Sequence, residues 1–237
     1  MHFILKHSIL WVSPKKDMSV EIQPSMIRVL LADDHEVIRR GIRAILESAP
    51  DFEVVGEASD GESALKMIAD LQPDVLLLDL KMPGLPSYRV EKIVRQQYPQ
   101  VVTLILTAHD RDFYLANMME AGASGYLSKN ERAEKLIEAI RRAVRGEVLF
   151  TTEQYQRVQE WNRQAGLKWE NLTKRERQTL RLLVQGMDNA LIAEHLHITT
   201  RTAAYHVSNI IRKLGVTSRQ EAIGWAVKHI PDLTEDL

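Results

Sequence analysis

The sequence predicts two domains: an α/β domain built on a five-stranded, parallel, doubly wound sheet, and a small all-α domain after it. The length of 237 residues exceeds that of one usual domain. Short apolar runs alternate with amphipathic stretches of helix length in residues 26–146, which is typical of α/β domains. That segment has 16 Lys and Arg against 19 Asp and Glu, whereas residues 171–230 have 9 against 4. These balances, −3 and +5, indicate that only the second domain meets a polyanion.

The composition is that of a folded globular protein, with 45% hydrophobic and 27% charged residues. No apolar stretch reaches the ~20 residues that span a bilayer, and residues 1–25 lack a convincing small-residue cleavage site. The absence of cysteine excludes disulfides, thiolate metal sites and cysteine nucleophiles. We therefore expect a cytoplasmic protein. Residues 1–25 are interpreted as an N-terminal extension of uncertain structure, with Met18 and Met26 as alternative starting residues.

The α/β domain is expected at residues 26–146. Its third and fourth strands are apolar throughout, because helices cover both faces of a parallel sheet. The predicted strands are Ile27–Ala32, Phe52–Ala58, Asp74–Leu78, Val101–Leu106 and Gly125–Leu127. The predicted helices cover residues 36–48, 61–70, 87–98, 111–121 and 131–145.

Residues 147–170 are interpreted as a polar linker with one short helix near Glu153–Gln164, followed by Gly166. The all-α domain at 171–230 has four predicted helices. Thr173 and Glu176 have the spacing of a capping box, in which each side chain accepts a hydrogen bond from a backbone N–H at the helix start. Residues 231–237 form a C-terminal tail. The first helix is expected to stop near Gly186, and the second extends from its cap Asp188 to Leu196. The third begins at Thr199 or Thr200 and ends at Leu214, with Gly215 as its C-terminal stop. The fourth begins at Ser218 and is ended by Pro231.

Polar residues stand at the ends of four predicted strands, where doubly wound sheets bind their ligands. Converging carboxylates repel one another unless a hard divalent cation binds, and a hydroxyl and an ammonium can donate to anionic oxygens. Such a set suits phosphoryl transfer to a carboxylate. Taken singly, each residue has a structural alternative, such as a helix cap for an aspartate or a solvated position for the lysine. The residues are Asp33, Asp34, Asp79, Thr107 and Lys129.

Four motifs carry a family resemblance in the first domain: Leu-Ala-Asp33-Asp34-His, Leu-Leu-Asp79-Leu-Lys-Met-Pro-Gly, Leu-Thr107-Ala and Gly-Ala-Ser-Gly-Tyr126-Leu-Ser-Lys129. From Ile27 to about Gly146 the chain resembles the receiver domain of response regulators, which has a flavodoxin-like fold. The resemblance implies that Asp79 accepts a phosphoryl group from the phosphohistidine of a sensor kinase. It implies that Thr107 and Lys129 bind phosphoryl oxygens. It also implies a Mg²⁺ site formed by Asp33, Asp34, Asp79 and the backbone carbonyl of Lys81.

Two positions near the fifth strand bear on this resemblance. Tyr126 matches the switch aromatic of the family, which is expected to rotate inward as Thr107 moves toward the phosphoryl group; a half-buried strand tyrosine is the alternative. Asn130 stands where many receivers have a proline, often after a cis bond. A cis bond before a residue other than proline costs roughly 2.5–4 kcal/mol, so a trans loop is compatible with this sequence, with Asn130 as a candidate cap of the fifth helix.

The third helix of the second domain is amphipathic, with Ala203, Val207, Ile210 and Leu214 on one face. Its opposite face carries donors and an aromatic ring that suit phosphates and base edges in a major groove; an ordinary surface helix is the alternative. Further motifs are Leu172-Thr-Lys-Arg-Glu-Arg, Leu191-Ile-Ala-Glu-His-Leu, Ile211-Arg-Lys-Leu-Gly-Val and Arg219-Gln-Glu-Ala. From about Asn171 to His229 the chain resembles the LuxR-type helix-turn-helix domain of NarL/FixJ regulators.

This second resemblance implies a recognition helix at residues 200–214. The last helix is implied to help dimerise DNA-bound subunits through Ile223, Ala226 and Val227, although core packing is the commoner role of such residues. Ala203 and Ala204 replace a valine and a basic residue that are usual in relatives, which predicts weaker DNA binding or a different site preference. The predicted DNA-contacting residues are Arg201, Thr202, Tyr205, Ser208, Asn209, Arg212 and Lys213.

These features predict a phosphorylation-dependent transcriptional regulator with Mg²⁺ as cofactor. Its expected partners are promoter DNA, a sensor histidine kinase and, when phosphorylated or DNA-bound, a second copy of the chain. It is not expected to be an enzyme beyond Mg²⁺-dependent self-phosphorylation and dephosphorylation at Asp79. The D-x-D arrangement of aspartyl-phosphate hydrolases and glycine-rich nucleotide loops are both absent. The alternative is a phospho-switch interaction protein whose helical domain binds protein rather than DNA.

Overall fold

A computed structural model of the chain describes residues 26–108, 110–230 and 233. Five parallel strands in this part form one sheet in the order β2-β1-β3-β4-β5, which confirms the predicted doubly wound fold. The predicted extension at 1–25 and, apart from Leu233, the predicted tail at 231–237 lie outside the described residues. The strands are β1 (Ile27–Ala32), β2 (Phe52–Ala58), β3 (Val75–Leu78), β4 (Val102–Thr107) and β5 (Gly125–Ser128).

Helices cover both faces of the sheet. Neighbouring residues of a strand point to opposite faces, so Leu30 and Leu76 pack into one core whereas Leu31 and Leu77 pack into the other. This is why the central strands are apolar at every position. The helices are α1 (Glu36–Glu47), α2 (Gly61–Leu71), α3 (Ser87–Gln97), α4 (Asp112–Ala121) and α5 (Ala133–Val144).

The loop after β5 departs from the expectation for Asn130. The Lys129–Asn130 bond is trans, but Asn130 does not cap α5. Its backbone N–H donates to Ser128 Oγ at 3.1 Å, and the helix begins three residues later with Arg132 as the preceding residue and no side-chain cap. The capping prediction is therefore wrong, because the chain makes a turn at Ser128–Glu131 before the helix starts.

The segment between the two domains is helical over most of its length. Helix α6 (Thr152–Trp161) continues through a π-helical turn (Asn162–Gly166) into α7 (Leu167–Glu170). Gly166, expected to follow the end of a short helix, lies inside the helical run with a right-handed φ of −56°. Glycine fits at this position because the Cβ atom of any other residue would lie only 2.8 Å from the Trp161 ring. The segment is thus a packed helical connection rather than an open tether.

The second domain contains four helices, which confirms its predicted all-α class. The Thr173–Glu176 capping box is present at the first of them, and Asp188, Thr199 and Ser218 accept backbone N–H groups at the next three. Gly215 ends the third helix with a φ of +67°, a conformation that glycine adopts without strain. Across the described residues, no helix is both long and apolar enough to cross a membrane. The helices are α8 (Lys174–Val184), α9 (Asn189–His195), α10 (Thr200–Leu214) and α11 (Arg219–His229).

Candidate functional site

Three aspartates meet at the carboxyl ends of β1 and β3. These strands are paired in register, with Ala32 beside Leu78, so the residues that follow them are neighbours. The Asp79 N–H donates to the Ala32 carbonyl at 2.8 Å, and the Asp33 N–H donates to the Ala58 carbonyl at 3.0 Å. Asp33 and Asp79 are buried while Asp34 is at the surface. The topology therefore brings together the three carboxylates that the sequence predicted.

Lys129 closes the site from the side of β5. Its Nζ atom lies 2.6 Å from Asp33 Oδ2 and 2.9 Å from Asp79 Oδ2, and all three side chains are nearly inaccessible to solvent. The backbone N–H of Lys129 donates to the Thr107 carbonyl at 2.9 Å, which extends the β4–β5 pairing by one residue. One ammonium thus bridges two carboxylates and offsets part of their repulsion.

The Asp79 carboxyl group is perturbed by its surroundings. Burial raises its pKa above the usual value, and the Asp33 charge acts in the same direction, whereas Lys129 opposes both. Asp79 Oδ1 is buried and has no hydrogen-bond partner among the described residues. An unpaired buried carboxylate oxygen is costly, so this atom is suited to a cation or an incoming electrophile. The residue set fits a hard divalent ion, because carboxylate oxygens are what Mg²⁺ prefers.

His35 joins the cluster, and the sequence reasoning did not assign it a role. Single ligand atoms of Asp33, Asp34, His35 and Asp79 all lie within 4.8 Å of one another. His35 Nδ1 is 2.7 Å from Asp34 Oδ1, and its backbone N–H donates to Asp33 Oδ1 at 2.9 Å. The signal was present in the sequence, since the histidine directly follows the aspartate pair.

The loop after Asp79 is held by a residue that the sequence reasoning also missed. Ser87 Oγ, at the start of α3, contacts the carbonyl oxygens of Asp79 at 2.6 Å and Leu80 at 2.8 Å. Ser87 is buried. Lys81, whose carbonyl is the predicted fourth metal ligand, follows directly in this loop. The serine therefore fixes the main chain next to the predicted ligand.

Thr107 and Tyr126 lie on the two neighbouring strands β4 and β5, and both are buried. Burial raises the pKa of the Tyr126 phenol, and the negative charge of Asp110 adds to that effect. The ring is thus inside the protein rather than half-exposed. The backbone carbonyl of Tyr126 accepts a hydrogen bond from Gln154 of α6 at 3.1 Å. The predicted switch pair consequently adjoins the helical connection to the second domain.

A salt-bridge network ties α6 to the loop that follows Thr107. Arg157 binds Asp110 through both terminal nitrogens, at 3.0 and 2.9 Å, and binds Asp112 through Nε at 2.8 Å. One turn further, the Trp161 ring meets the Phe113 ring edge-on at 5.9 Å between centroids. Together these contacts hold the connecting helix against the start of α4.

The exposed face of α10 carries most of the predicted DNA-contacting residues. Arg201, Ser208 and Arg212 are exposed, and 64% of the Tyr205 surface is accessible. Thr202 is partly exposed and its hydroxyl lies 2.8 Å from that of Thr199, while Asn209 accepts a hydrogen bond from Arg212 at 3.0 Å. Ala203 is buried and Ala204 is partly exposed, so only the second of these departures alters the surface.

Lys213 differs from the other predicted DNA-contacting residues in the contacts of its side chain. Its Nζ atom lies 2.7 Å from the buried carboxylate of Glu176 and 3.0 Å from the Asn171 carbonyl. The side chain therefore points toward α8 and joins two helices of its own domain. A phosphate contact at this position would compete with that ion pair.

The three residues predicted to pair DNA-bound subunits have different environments on α11. Ala226 is fully buried in the core of the domain, and Ile223 is partly buried against it. Val227 has 46% of its surface accessible. A subunit contact on this helix would therefore be centred on Val227, because Ala226 already has a complete apolar environment within its own domain.

The chain thus combines a doubly wound domain that carries a buried acidic cluster with an all-α domain, joined by a helical connection. The chain matches the family described as "Response regulator receiver domain" over residues 29–141 and "Bacterial regulatory proteins, luxR family" over residues 170–226. The chain belongs to the NarL/FixJ family of two-component response regulators, and it is a phosphorylation-dependent regulator of transcription.

Individual relatives agree over nearly their whole length. The transcriptional regulatory protein LiaR of Bacillus subtilis (strain 168) is 40% identical over 204 residues, which are 85% of this chain and 97% of LiaR. DegU of Brevibacillus brevis is 32% identical over 230 residues, 90% of this chain and 98% of DegU. RcsB from Salmonella enterica serovar Typhimurium, solved bound to promoter rprA in the presence of the phosphomimetic BeF3⁻, is 25% identical with a TM-score of 0.55 over 85% of this chain and 98% of that chain.

Proposed function

We propose that Asp79 accepts a phosphoryl group from the phosphohistidine of a sensor histidine kinase and that this modification controls promoter binding by α10. The observation that carries the proposal is the buried Asp79 carboxylate, which has one oxygen paired with Lys129 and the other without a hydrogen-bond partner in the described part of the chain. The unpaired oxygen forms the new P–O bond. The electron pair of the breaking P–N bond returns to the imidazole of the kinase.

The residues around Asp79 supply what phosphoryl transfer requires of a protein, namely positioning and charge neutralisation. The Mg²⁺ ligands in this proposal are Asp33, Asp34, Asp79 and the Lys81 carbonyl. Mg²⁺ held by these residues would supply positive charge that offsets the negative charge of the phosphoryl group. Lys129 and the Thr107 hydroxyl hold the phosphoryl oxygens. The same pocket, with water as the attacking group, accounts for dephosphorylation.

Phosphorylation acts through a population shift in this proposal. A phosphoryl group on Asp79 competes with Asp33 for Lys129 and draws Thr107 toward it. The loop after Thr107 carries Asp110, which Arg157 of α6 binds through two nitrogens. A displacement of that loop therefore loosens α6 and changes how the helix-turn-helix domain is held.

The DNA surface in this proposal is the outer face of α10. Its contributors are Arg201, Thr202, Tyr205, Ser208, Asn209 and Arg212, with Lys213 left out because it pairs with Glu176. Promoter binding by the RcsB relative supports DNA as the partner of this domain. Two copies of the chain pair on DNA through a surface that includes Val227. We further propose limits of 26–146 for the receiver domain and 171–230 for the DNA-binding domain.

The experiment selects genomic DNA fragments with the purified full chain, with and without Mg²⁺ and acetyl phosphate as phosphoryl donor, alongside Asp79→Asn. We expect one enriched sequence motif, tighter binding after phosphorylation, and loss of that increase in the variant. Mass spectrometry of the same samples locates the modified residue. Phosphorylation at another carboxylate would refute the role of Asp79, whereas phosphorylation of Asp79 without selective DNA capture would refute the role of α10.

A further inference from the structure

Arg39 of α1 lies beneath the acidic cluster and contacts its main chain. The Arg39 side chain is only 14% exposed. Its Nη1 atom donates to the backbone carbonyl of Asp33 at 2.5 Å, and its Nε atom donates to Glu57 Oε2 at 3.2 Å. The guanidinium therefore joins the end of strand β2 to the point where β1 ends and the acidic cluster begins.

Glu57 is held in place from both sides. Its second oxygen accepts a hydrogen bond from Arg43 Nε at 2.6 Å. Although burial alone would raise the pKa of Glu57, the hydrogen bonds from Arg43 and Arg39 keep it below the usual value. Glu57 is thus ionised at neutral pH, and Arg39 is fixed in one orientation by a charged partner.

The contacts of Asp33 show why a fixed orientation of Arg39 is important for the acidic cluster. Its N–H donates to Ala58, its Oδ1 atom accepts from the His35 N–H, and its Oδ2 atom lies 2.6 Å from Lys129. The backbone carbonyl is the remaining polar group, and Arg39 occupies it. Every polar group of Asp33 is therefore directed by a named partner, and Arg39 sets the orientation of the peptide unit that leads to Asp34.

We propose that Arg39, oriented by Glu57, is a positioning residue for divalent-cation binding. It fixes the Asp33–Asp34 main chain so that both carboxylates face Asp79. The inference rests on the proposed function, because it takes the acidic cluster to be the Mg²⁺ site. Outer partners of this kind typically change metal affinity by ~10- to ~100-fold when they are lost.

The sign of the effect separates positioning from simple electrostatics. Arg39 is a cation close to a site for a dication, so its charge alone opposes Mg²⁺ binding. Replacement by a neutral residue would then strengthen binding if charge were the only factor. If Arg39 positions the ligands, the same replacement weakens binding. Arg39→Lys keeps the charge but loses the two-sided geometry, so positioning predicts weaker binding there as well.

The test is a Mg²⁺ titration of the full chain followed by calorimetry, with thermal unfolding as a folding check. The variants are Arg39→Gln, Arg39→Lys and Glu57→Gln. Arg40→Gln is the matched control, because Arg40 is the adjacent residue, is 75% exposed and pairs with Glu36 on the helix surface. We expect Kd for Mg²⁺ to rise at least ~10-fold in both Arg39 variants, to rise in Glu57→Gln, and to stay constant in Arg40→Gln.

A second readout follows phosphorylation by acetyl phosphate as a function of Mg²⁺ concentration. The half-saturating Mg²⁺ concentration should rise in the Arg39 variants while the rate at saturating Mg²⁺ is retained. Unchanged or tighter Mg²⁺ binding by folded Arg39→Gln would overturn the inference alone. Absence of Mg²⁺ binding by the unaltered chain would reject the metal role in the proposed function and the inference with it. If Arg39→Gln is unfolded, Arg39→Lys and Glu57→Gln decide by the same criteria.

Discussion

The Lys129 ammonium lies 2.9 Å from the Asp79 carboxylate, with both side chains buried. Lys129 does not fully neutralise Asp79, because its ammonium also lies 2.6 Å from the Asp33 carboxylate. Two buried carboxylates thus share one ammonium, and the site carries an excess of negative charge. Such a site is costly to the folded state and ready to bind a cation or a group that attracts Lys129.

Replacement of Asp79 by asparagine should stabilise the chain while abolishing its phosphorylation. The charged form of Asp79 is disfavoured by burial and by Asp33, so removing the charge relieves the folded state. We expect the free energy of unfolding at pH 7 without Mg²⁺ to rise by about 0.5–2 kcal/mol, measured by urea denaturation. Glu53→Gln, an exposed charge on β2, serves as control. A less stable Asp79→Asn variant would contradict the excess-charge interpretation.

The stability difference between Asp79→Asn and the unaltered chain should narrow as the pH falls. The folded-state pKa of Asp79 is raised, so the folded chain takes up a proton at a higher pH than the unfolded chain does. Between that raised pKa and the usual value near 3.9, lowering the pH stabilises the unaltered chain relative to the variant. Urea denaturation at several pH values without Mg²⁺ measures this. A difference that is constant over the range would show that Asp79 has an ordinary pKa.

Arg212 and Lys213 are adjacent, but replacing Arg212 should affect DNA binding whereas replacing Lys213 should affect stability. Arg212 is exposed on the outer face of α10, whereas Lys213 binds Glu176 within the domain. Arg212→Gln should weaken promoter binding about tenfold and reduce the slope of log K against log salt by about one, with unchanged stability. Lys213→Met should lower the free energy of unfolding by about 1–3 kcal/mol. This loss is smaller than that for a fully buried ion pair, because Lys213 is partly exposed to solvent.

Salt-dependent DNA titrations and urea denaturation of both variants make this comparison. A reduction of the salt slope by about one in Lys213→Met, without any loss of stability, would place that lysine on the DNA, against the orientation of its side chain toward Glu176.

Replacement of Arg157 by glutamine should release α6 from the start of α4. Arg157 makes three hydrogen bonds to Asp110 and Asp112, but the carboxylates are largely exposed, so the stability loss should be only about 0.5–1 kcal/mol. Hydrogen exchange in residues 152–161 should become faster. Unphosphorylated protein should bind DNA at least about fivefold more tightly.

Arg163→Gln is the control for this experiment, since Arg163 lies in the same helical segment and its guanidinium pairs with Glu160, three residues earlier, on the exposed surface. Faster exchange without a change in DNA affinity would mean that the α6 contact does not restrain the DNA-binding domain.

Much of the architecture could be predicted because its signals are local. Alternating apolar runs identify the five strands, and the Thr173–Glu176 pair marks a helix start wherever it occurs. The positions of Asp33, Asp79 and Lys129 at strand ends are sufficient to predict that they converge, because parallel strands place their carboxyl ends at one edge. Asn130 was misassigned since a cap depends on where the helix begins, and two residues of turn intervene.

Side-chain direction and long-range pairing depend on the packing of distant elements, which the sequence pattern does not reveal. The family resemblance predicted Lys213 to contact DNA, but its partner Glu176 is 37 residues away in the chain, and its position follows from how α8 packs. The same holds for Arg39 with Glu57 and for Arg157 with Asp110. The secondary-structure elements and the chemistry at the strand ends could be predicted from the sequence, since these features depend on neighbouring residues. Packing of distant elements decided which partner each long, flexible side chain reaches, because several partners compete and their distances exist only in the folded chain.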